Sequence, residues 1–399
     1  MPVRSTADRR WIPIALLFCA TLLNYVDRQA LSVLSATLRR ELGLTERDYS
    51  HVVSAFLISY GVMYLVGGRW VDRVGVRVGV AACVAWWSVA AAMTSLAQGV
   101  RSLMLCRFLL GVAEPVIYPA GLKASAELFS PRGRGLAMGV LSSGSSAGAI
   151  VAPPLIAAIA LNFGWRAAFL IPGALGLLLA AVWYRSVRPA PPDPNRAAPV
   201  PLLHLLRRRD VWALVAPRLF SDPVWYFYLF WLPDYLQRER GLSLAELGYY
   251  GWIPFVAADI GAVGGGALSD WLVRRGMDPV TARRRVLIGV AMFAPLGAMA
   301  ARVPTAAAAI LLVAAAAAMT QVWAINIATL GADVLGAEQS ASILGLMGAA
   351  GSLSGAVFSQ VLAFVIAAAG YPAAFLLAGA MHPIAALLLF SLGRKPAAR

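Results

Sequence analysis

Residues 24–28 of the chain are NYVDR, and they lie inside the first long apolar segment, residues 11–37. Asp27 and Arg28 therefore place an acid and a base side by side within a helix of membrane length. Each charge costs roughly 2.5–3.5 kcal/mol at the centre of a bilayer, even on insertion-based scales. The pair is best explained if this helix faces a water-filled cavity rather than lipid, and we interpret that cavity as a transport pathway.

The composition predicts a protein with many membrane spans. The chain has 399 residues, of which 60% are hydrophobic and 13% are charged, whereas a soluble domain carries about 25% charged residues. We interpret the net charge of +15 as arginine-rich cytoplasmic loops and not as a nucleic-acid-binding surface. The three cysteines lie in apolar segments and the three histidines show no ligand spacing. We therefore expect no disulfide framework, no metal and no other bound cofactor.

Twelve apolar runs are long enough to cross a hydrocarbon core of roughly 30 Å, which takes about 20 helical residues. They predict an all-α membrane protein with twelve transmembrane helices. The predicted spans are 11–37, 51–71, 78–97, 102–124, 134–160, 166–186, 211–237, 246–271, 285–301, 304–331, 339–368 and 371–393.

A long polar break divides these spans into two groups of six. It contains RPAPPDP at 188–194 and RRR at 207–209. We therefore predict an amino-terminal six-helix bundle over residues 1–187, a cytoplasmic linker over 188–210 and a carboxy-terminal six-helix bundle over 211–399. If both termini are cytoplasmic, most Lys and Arg residues fall on the inner side of the membrane, as the positive-inside rule requires.

The two halves repeat one loop pattern, GRWVDRVGVR at 68–77 and GALSDWLVRR at 266–275. Both follow the second span of a half, and internal duplication at this level is typical of transporters. The glycine allows close helix approach, and the aspartate can pair with bases of a neighbouring loop. A generic basic loop is the alternative interpretation. The residues that we assign to gating or structure are Gly68, Asp72, Arg73, Asp270 and Arg274.

These loops resemble the motif of the major facilitator superfamily. NYVDR at 24–28, together with RFLLGVAEP at 107–115, is similar to the anion:cation symporter family of organic-acid transporters. DPVWYFYLFWLP at 222–233, AADIG at 257–261 and WAINIATLGAD at 323–333 are similar to its hexuronate transporter branch. The resemblance implies a monomeric symporter of the bacterial inner membrane. It would move an acidic sugar such as glucuronate or galacturonate, with protons as the coupling ion.

The resemblance also implies roles for six residues of the first half. In galactonate-transporting relatives, the matching acids carry protons, the matching bases handle the substrate carboxylate and the matching tyrosines line the site. In this chain these are Asp27 and Glu114, Arg28 and Arg107, and Tyr25 and Tyr60. Ser145 is a departure, because the relatives have a polar Gln near this position.

A carboxylate symporter needs a fixed cation to select the anion, and it needs an acid that is neutral in one state and charged in another. Arg suits the first task because its planar fork binds carboxylates and keeps its proton. Arg107 and Glu114 are seven residues apart, which places them on one helix face. Two alternatives stay open at this point. The four charges could be structural ion pairs, or Glu114 could mark a helix kink beside Pro115.

The second half offers side chains that suit a sugar. Sugars present C–H faces that stack on aromatic rings, and polar groups can reach their hydroxyls. The seventh predicted span is rich in aromatics, and Trp323 and Asn326 share one face of the tenth. Helix packing or an interfacial aromatic belt is the alternative for each ring. The predicted sugar contacts are Trp225, Tyr228, Trp323 and Asn326.

Other functions remain possible from the sequence. A carrier of a different organic anion, such as an aldonate like galactonate, a dicarboxylate or a phosphorylated polyol, would share this architecture. A membrane-embedded enzyme would need a nucleophile–base pair or a metal cluster, and the sequence contains no such pattern. A non-transporting sensor is a third possibility. We expect a transporter whose partners are a small anionic sugar and the lipid bilayer, with no nucleic acid.

Overall fold

The structure is a computed structural model, and it describes residues 10–188, 202–335 and 337–392. All regular secondary structure in these residues is helical. This confirms the predicted all-α class. Most of the predicted linker, residues 189–201, lies outside the described residues, as do residues 1–9 and 393–399 at the termini.

Residues 10–188 form eight α-helices and one short 3-10 helix, Glu114–Val116. The helices are α1 (Trp11–Val33), α2 (Ser35–Leu42), α3 (Glu46–Val74), α4 (Val76–Thr94), α5 (Val100–Ala113), α6 (Ile117–Leu128), α7 (Pro131–Phe163) and α8 (Ala167–Ser186).

The second part also contains a 3-10 helix, Ala294–Ala301. Its helices are α9 (Leu202–Leu206), α10 (Arg209–Phe230), α11 (Leu232–Arg238), α12 (Leu244–Tyr250), α13 (Ile253–Arg274), α14 (Pro279–Phe293), α15 (Ala306–Leu335) and α16 (Ala337–Leu392).

The helix lengths account for twelve membrane spans within the described residues. Eight helical segments are long and apolar enough to cross a bilayer. One of them, Ser342–Ser391, has 50 residues, and its backbone leaves the helical region at Gly370 (φ 73°, ψ 179°), so it makes two spans. Three more spans carry charges or a break in their middle. These are α1, α10 and the α5–α6 pair, which the 3-10 helix interrupts.

The described residues form two compact units. The first contains α1 to α8 together with Ser243–Trp252, and the second contains residues 202–242 and those from Ile253 onward. Helix α12 packs on α7 in the first unit, where a Cβ at Gly248 would lie 2.7 Å from the Cβ of Ala157. The sequence had placed this short helix with the carboxy-terminal spans.

Glycines of α7 allow α1 to approach closely. A Cβ built on Gly148 would lie 2.5 Å from the main-chain oxygen of Leu22 and 2.8 Å from the Cβ of Tyr25. Gly144, one turn earlier, faces Phe18 and Thr21 in the same way. Small residues of this kind let helix backbones pack closely in membranes. They fix the position of α1, which carries the NYVDR stretch.

We expect Gly148→Ala to destabilise the first unit, because the added methyl group meets backbone that cannot move aside. Overpacking of this kind typically costs about 1–3 kcal/mol. The measurement is the apparent melting temperature of the purified protein in detergent, which should fall. Gly139→Ala on the same helix is the matched control, because no atom lies within 4 Å of a Cβ there. Equal melting temperatures for the two variants would contradict the close packing of α1 on α7.

Candidate functional site

Four ionisable side chains from the first unit lie buried together. Asp27 and Arg28 come from α1, Arg107 from α5, and Glu114 from the 3-10 helix that follows α5. Their exposed fractions are 2%, 5%, 2% and 0%, respectively. The residues that the sequence singled out for ion and anion chemistry therefore share one buried region of one unit.

Arg28 is held by the carboxylate of Glu114. Its Nε and Nη2 both donate to Oε2 of Glu114, at 3.1 and 2.8 Å. Nη2 also donates to Oδ1 of Asn24 and to the hydroxyl of Tyr60, each at 3.0 Å. The acid next to Arg28 in sequence, Asp27, takes no part in this pairing, because adjacent helical residues point about 100° apart.

Aromatic rings enclose the same guanidinium. The Cζ atom of Arg28 lies 4.8 Å from the ring centroid of Tyr25, 4.7 Å from that of Tyr60 and 5.5 Å from that of Phe56. An aromatic face attracts a cation, and the attraction is larger where water is excluded. The two tyrosines predicted to line the site therefore both contact this arginine.

Arg107 binds the backbone of α1. Its Nη1 donates to the main-chain oxygen of Asp27 at 3.0 Å, and its Cζ lies 5.3 Å from the ring centroid of Phe169. The Nε of Arg107 is buried and has no hydrogen-bond partner in the part of the chain that the structure describes. Arg107 is thus a buried cation with unused donor capacity beside the predicted proton carrier.

The carboxylate of Asp27 differs from that of Glu114. Neither of its oxygens has a hydrogen-bond partner among the described residues, although both are buried. The charges of Arg107 and Glu114 both act on it. A buried ionised carboxylate without donors is costly. Among the described residues, Asp27 therefore lacks hydrogen bonds of the kind that stabilise the charge of Glu114.

The helix break at Glu114 is part of the site. Pro115 has no backbone N–H to donate, and its ring interferes with a regular helix, so the chain forms a 3-10 turn between α5 and α6. Asn24 of α1 donates from Nδ2 to the main-chain oxygen of Glu114, at 3.5 Å. Such breaks are tolerated inside a membrane where other protein groups satisfy the backbone. Asn24 thus contacts both members of the Arg28–Glu114 pair.

The predicted sugar contacts of the second unit lie in its interior. Trp225 is half-buried, with its ring 6.1 Å from that of Phe255, and Tyr228 is buried against Phe227 at 5.5 Å. The ring of Trp323 meets that of His382 edge-on at 5.5 Å.

Asn326 forms hydrogen bonds to the backbones of two helices of this unit. Its Nδ2 donates to the main-chain oxygen of Gly265 on α13 at 3.2 Å and to that of Val322 on its own helix α15 at 2.9 Å. Its Oδ1 is buried and has no partner within the described residues. Asn326 and Trp323 therefore share a helix but contact different neighbours.

The aspartates of the two repeated loop motifs form ion pairs with basic residues that the sequence analysis did not name as their partners. In the first unit, Asp72 lies 3.6 Å from Nζ of Lys123. A Cβ on Gly68 would lie 3.6 Å from the Cβ of Pro119. Both contacts connect α3 to α6. Arg73, the base next to Asp72, is exposed.

In the second unit, Arg283 of α14 bridges two acids. Its Nη2 lies 2.7 Å from Oδ1 of Asp270, and its Nε lies 3.5 Å from Oδ2 of Asp333. Arg274 is exposed, like Arg73 in the first unit. Among the described residues, each motif aspartate thus forms an ion pair with a base from a later helix.

The chain matches the sequence profile of the Major Facilitator Superfamily over residues 17–359. It belongs to the major facilitator superfamily. It is therefore a multi-pass membrane transporter and not an enzyme, as the sequence predicted.

Relatives within the superfamily share most of this chain. It is 29% identical over 419 residues to the hexuronate transporter of Escherichia coli strain K12. The alignment covers 99% of this chain and 96% of that transporter. It is 32% identical over 277 residues to the galacturonate transporter of Dickeya chrysanthemi, and this alignment covers 64% of this chain and 80% of that transporter. These similarities confirm the resemblance to the hexuronate branch.

A solved structure shows the same fold. The crystal structure of a bacterial homologue of the human lysosomal transporter Spinster matches with a TM-score of 0.79. The match covers 99% of this chain and 100% of that one at 20% identity. At this identity the match supports the major facilitator fold alone.

Sequence reasoning missed three residues of these networks. Asn24 lies within the quoted motif, and a polar side chain one turn before Arg28 is a signal that could have identified it. Lys123 and Arg283 are distant in sequence from Asp72 and Asp270, the aspartates that they meet. Only the packing of α6 on α3 and of α14 on α13 shows which base meets each aspartate.

Proposed function

We propose that this member of the superfamily is a proton-coupled symporter of an acidic sugar, a hexuronate such as glucuronate or galacturonate. The observation that carries the proposal is the buried group of Asp27, Arg28, Arg107 and Glu114. The names of the relatives in Escherichia coli and Dickeya chrysanthemi support the substrate class. The protein would act as a monomer in the inner membrane, with both termini cytoplasmic. Its six-helix halves, residues 1–187 and 211–399, would rock against each other so that the site opens to one side of the membrane and then to the other.

Arg28 and Arg107 are the proposed anion ligands. Arginine binds a carboxylate with charge-assisted hydrogen bonds and does not lose its proton. In this structure Glu114 occupies Nε and Nη2 of Arg28. A substrate carboxylate that took these donors would leave Glu114 without its cation.

Asp27 and Glu114 are the proposed proton carriers. When substrate binding changes the charge next to an acid, the proton affinity of that acid must change, and linkage makes the effect reciprocal. Glu114 would respond through Arg28, which it binds directly. Asp27 would respond through Arg107, which donates to its main-chain oxygen. Protons are thus the proposed coupling ion, with no cofactor.

The remainder of the sugar would be recognised by polar and aromatic side chains. The hydroxyl of Tyr60 already takes part in the Arg28 network, and it also lies 3.5 Å from that of Tyr64. The proposed sugar contacts are Tyr25, Tyr60, Trp225, Tyr228, Trp323 and Asn326. The gating or structural role of Gly68, Asp72, Arg73, Asp270 and Arg274 is part of the same proposal.

Uptake into proteoliposomes tests this function. With purified protein and labelled galacturonate, we expect an inward proton gradient to drive accumulation above the outside concentration. A protonophore should collapse the accumulation, and protein-free liposomes should show none. Downhill entry without accumulation would contradict proton coupling. Stronger competition by galactonate, by galactarate or by a phosphorylated polyol than by glucuronate would favour a carrier of another organic anion.

A further inference from the structure

The second unit contains a charged pair within a membrane-spanning helix. Arg218 and Asp222 are one turn apart on α10, and Nε and Nη2 of Arg218 lie 2.8 and 2.7 Å from the same oxygen, Oδ2 of Asp222. The other carboxylate oxygen accepts a hydrogen bond from the hydroxyl of Ser221 at 3.3 Å. The side chains are 16% and 13% exposed. Neither residue belongs to the proposed proton or anion site of the first unit.

The pair lies deep along the helix. α10 starts at Arg209, so Asp222 is roughly 20 Å from its first residue at about 1.5 Å per residue. Placing two charges at such a depth costs free energy. Their presence therefore indicates a role that an apolar pair could not serve. Replacement of buried ion pairs by apolar residues is often neutral or stabilising, so packing alone is a weak explanation.

The local sequence repeats that of the first site. Pro217 directly precedes Arg218, and Pro223 directly follows Asp222, so prolines flank the charged turn. Glu114 is likewise followed by Pro115. Irregular or proline-interrupted helices at corresponding depths of two halves are an indicator of binding sites in transporters.

The hydrogen-bond geometry also repeats. In both pairs an arginine uses Nε and Nη2 on one oxygen of a carboxylate, which is Oε2 of Glu114 for Arg28 and Oδ2 of Asp222 for Arg218. Arg218 is more exposed than Arg28. It has no other acceptor among the described residues, and guanidinium carries five N–H donors. Several donors of Arg218 therefore remain available to a ligand.

Helix α16 packs against the acid and supplies one hydroxyl group, that of Ser352. Gly351 packs so closely that a Cβ there would collide with Oδ2 of Asp222. One turn beyond Asp222, the hydroxyl of Tyr226 lies 2.9 Å from that of Ser352. Arg218, Asp222 and Tyr226 follow one another at intervals of four residues, so they share one face of α10. A face that carries a cation and hydroxyls matches the chemistry of a carboxylate that is attached to a polyol.

We propose that Arg218 is an anion-binding group of the second unit for the carboxylate of a sugar acid. Asp222 is an internal competitor that occupies the guanidinium when no ligand is bound. The hydroxyls of Tyr226 and Ser352 hydrogen-bond to hydroxyls of the ligand. The inference rests on the proposed function for the ligand class, and it adds a cation of the second unit to the anion-binding arginines of the first.

Two substitutions with opposite expected effects test this site. Asp222→Asn removes the competing charge and keeps the shape, so the affinity for galacturonate should rise several-fold. Arg218→Gln removes the cation, and loss of a charge-assisted hydrogen bond should weaken binding by about tenfold or more. Affinity is measured by calorimetry on the full-length protein in lipid nanodiscs. The neutral sugar galactose should show no such opposed change.

Arg238→Gln is the matched control, because Arg238 and Asp234 form another Arg–Asp pair one turn apart in this unit, at 3.2 Å. It should leave the affinity for galacturonate unchanged. Melting temperatures of all variants separate folding defects from binding defects. If Asp222→Asn and Arg218→Gln both weaken binding, or both leave it unchanged, the pair is structural and the inference is overturned. If the unmodified protein binds no sugar acid, the proposed function fails as well.

Discussion

Asp27→Asn is expected to abolish proton-driven accumulation of galacturonate. The asparagine side chain has nearly the same shape but cannot bind and release a proton. Because neither carboxylate oxygen of Asp27 has a partner among the described residues, the substitution breaks no hydrogen bond to any of them. The main-chain oxygen that accepts from Arg107 is also retained. The measurement is uptake into proteoliposomes under an inward proton gradient.

The same vesicles provide a second readout. Exchange of labelled for unlabelled galacturonate at equal concentrations requires no net proton movement, so the variant should still exchange. Asp210→Asn is the control, because Asp210 is half-buried and lies outside the site, where its Oδ2 is 2.6 Å from Nη2 of Arg208. Accumulation by Asp27→Asn at the level of the unmodified protein would remove Asp27 from the coupling mechanism.

Arg107→Ala is expected to weaken anion binding strongly. The substitution deletes a buried cation and the hydrogen bond that it donates to the main-chain oxygen of Asp27. Each lost charge-assisted hydrogen bond contributes about 1.5–3 kcal/mol, so the dissociation constant for galacturonate should rise by roughly ten- to hundredfold. Binding is measured by calorimetry on the folded fraction after size-exclusion chromatography.

Two further variants make this result interpretable. Arg107→Lys keeps the charge but loses the planar fork, so we expect an intermediate affinity. Arg101→Ala removes an exposed arginine from the same helix, α5, and should leave binding unchanged. An affinity of Arg107→Ala equal to that of the unmodified protein would exclude Arg107 as an anion ligand.

Much of the fold followed from the sequence because the signals are local. Apolar runs of membrane length and the break near residue 188 predicted the helical architecture without any knowledge of packing. The break within the fourth span also has a local cause, since Pro115 cannot continue a regular helix. The long helix α16 shows the same principle, because Gly370 adopts a backbone conformation that divides it into two spans.

The sequence could also identify which charges are buried, because Asp27, Arg28, Arg107 and Glu114 interrupt runs that must otherwise face lipid or protein. Their pairing could not be predicted. Arg28 binds Glu114, 86 residues away, and not the adjacent Asp27. Partner choice depends on which helix faces surround each side chain, and this requires the packed bundle.

The sequence by itself determined an all-helical transporter of this superfamily and the set of ionisable residues that lies within its membrane spans. Only the tertiary structure decided that Asp27 has no hydrogen-bonding partner among the described residues, that Arg283 and not Arg274 meets Asp270, and that Arg218 pairs with Asp222 beside α16. The physical reason is that hydrophobicity acts residue by residue along the chain, whereas a hydrogen bond or ion pair requires two groups to meet within about 3 Å.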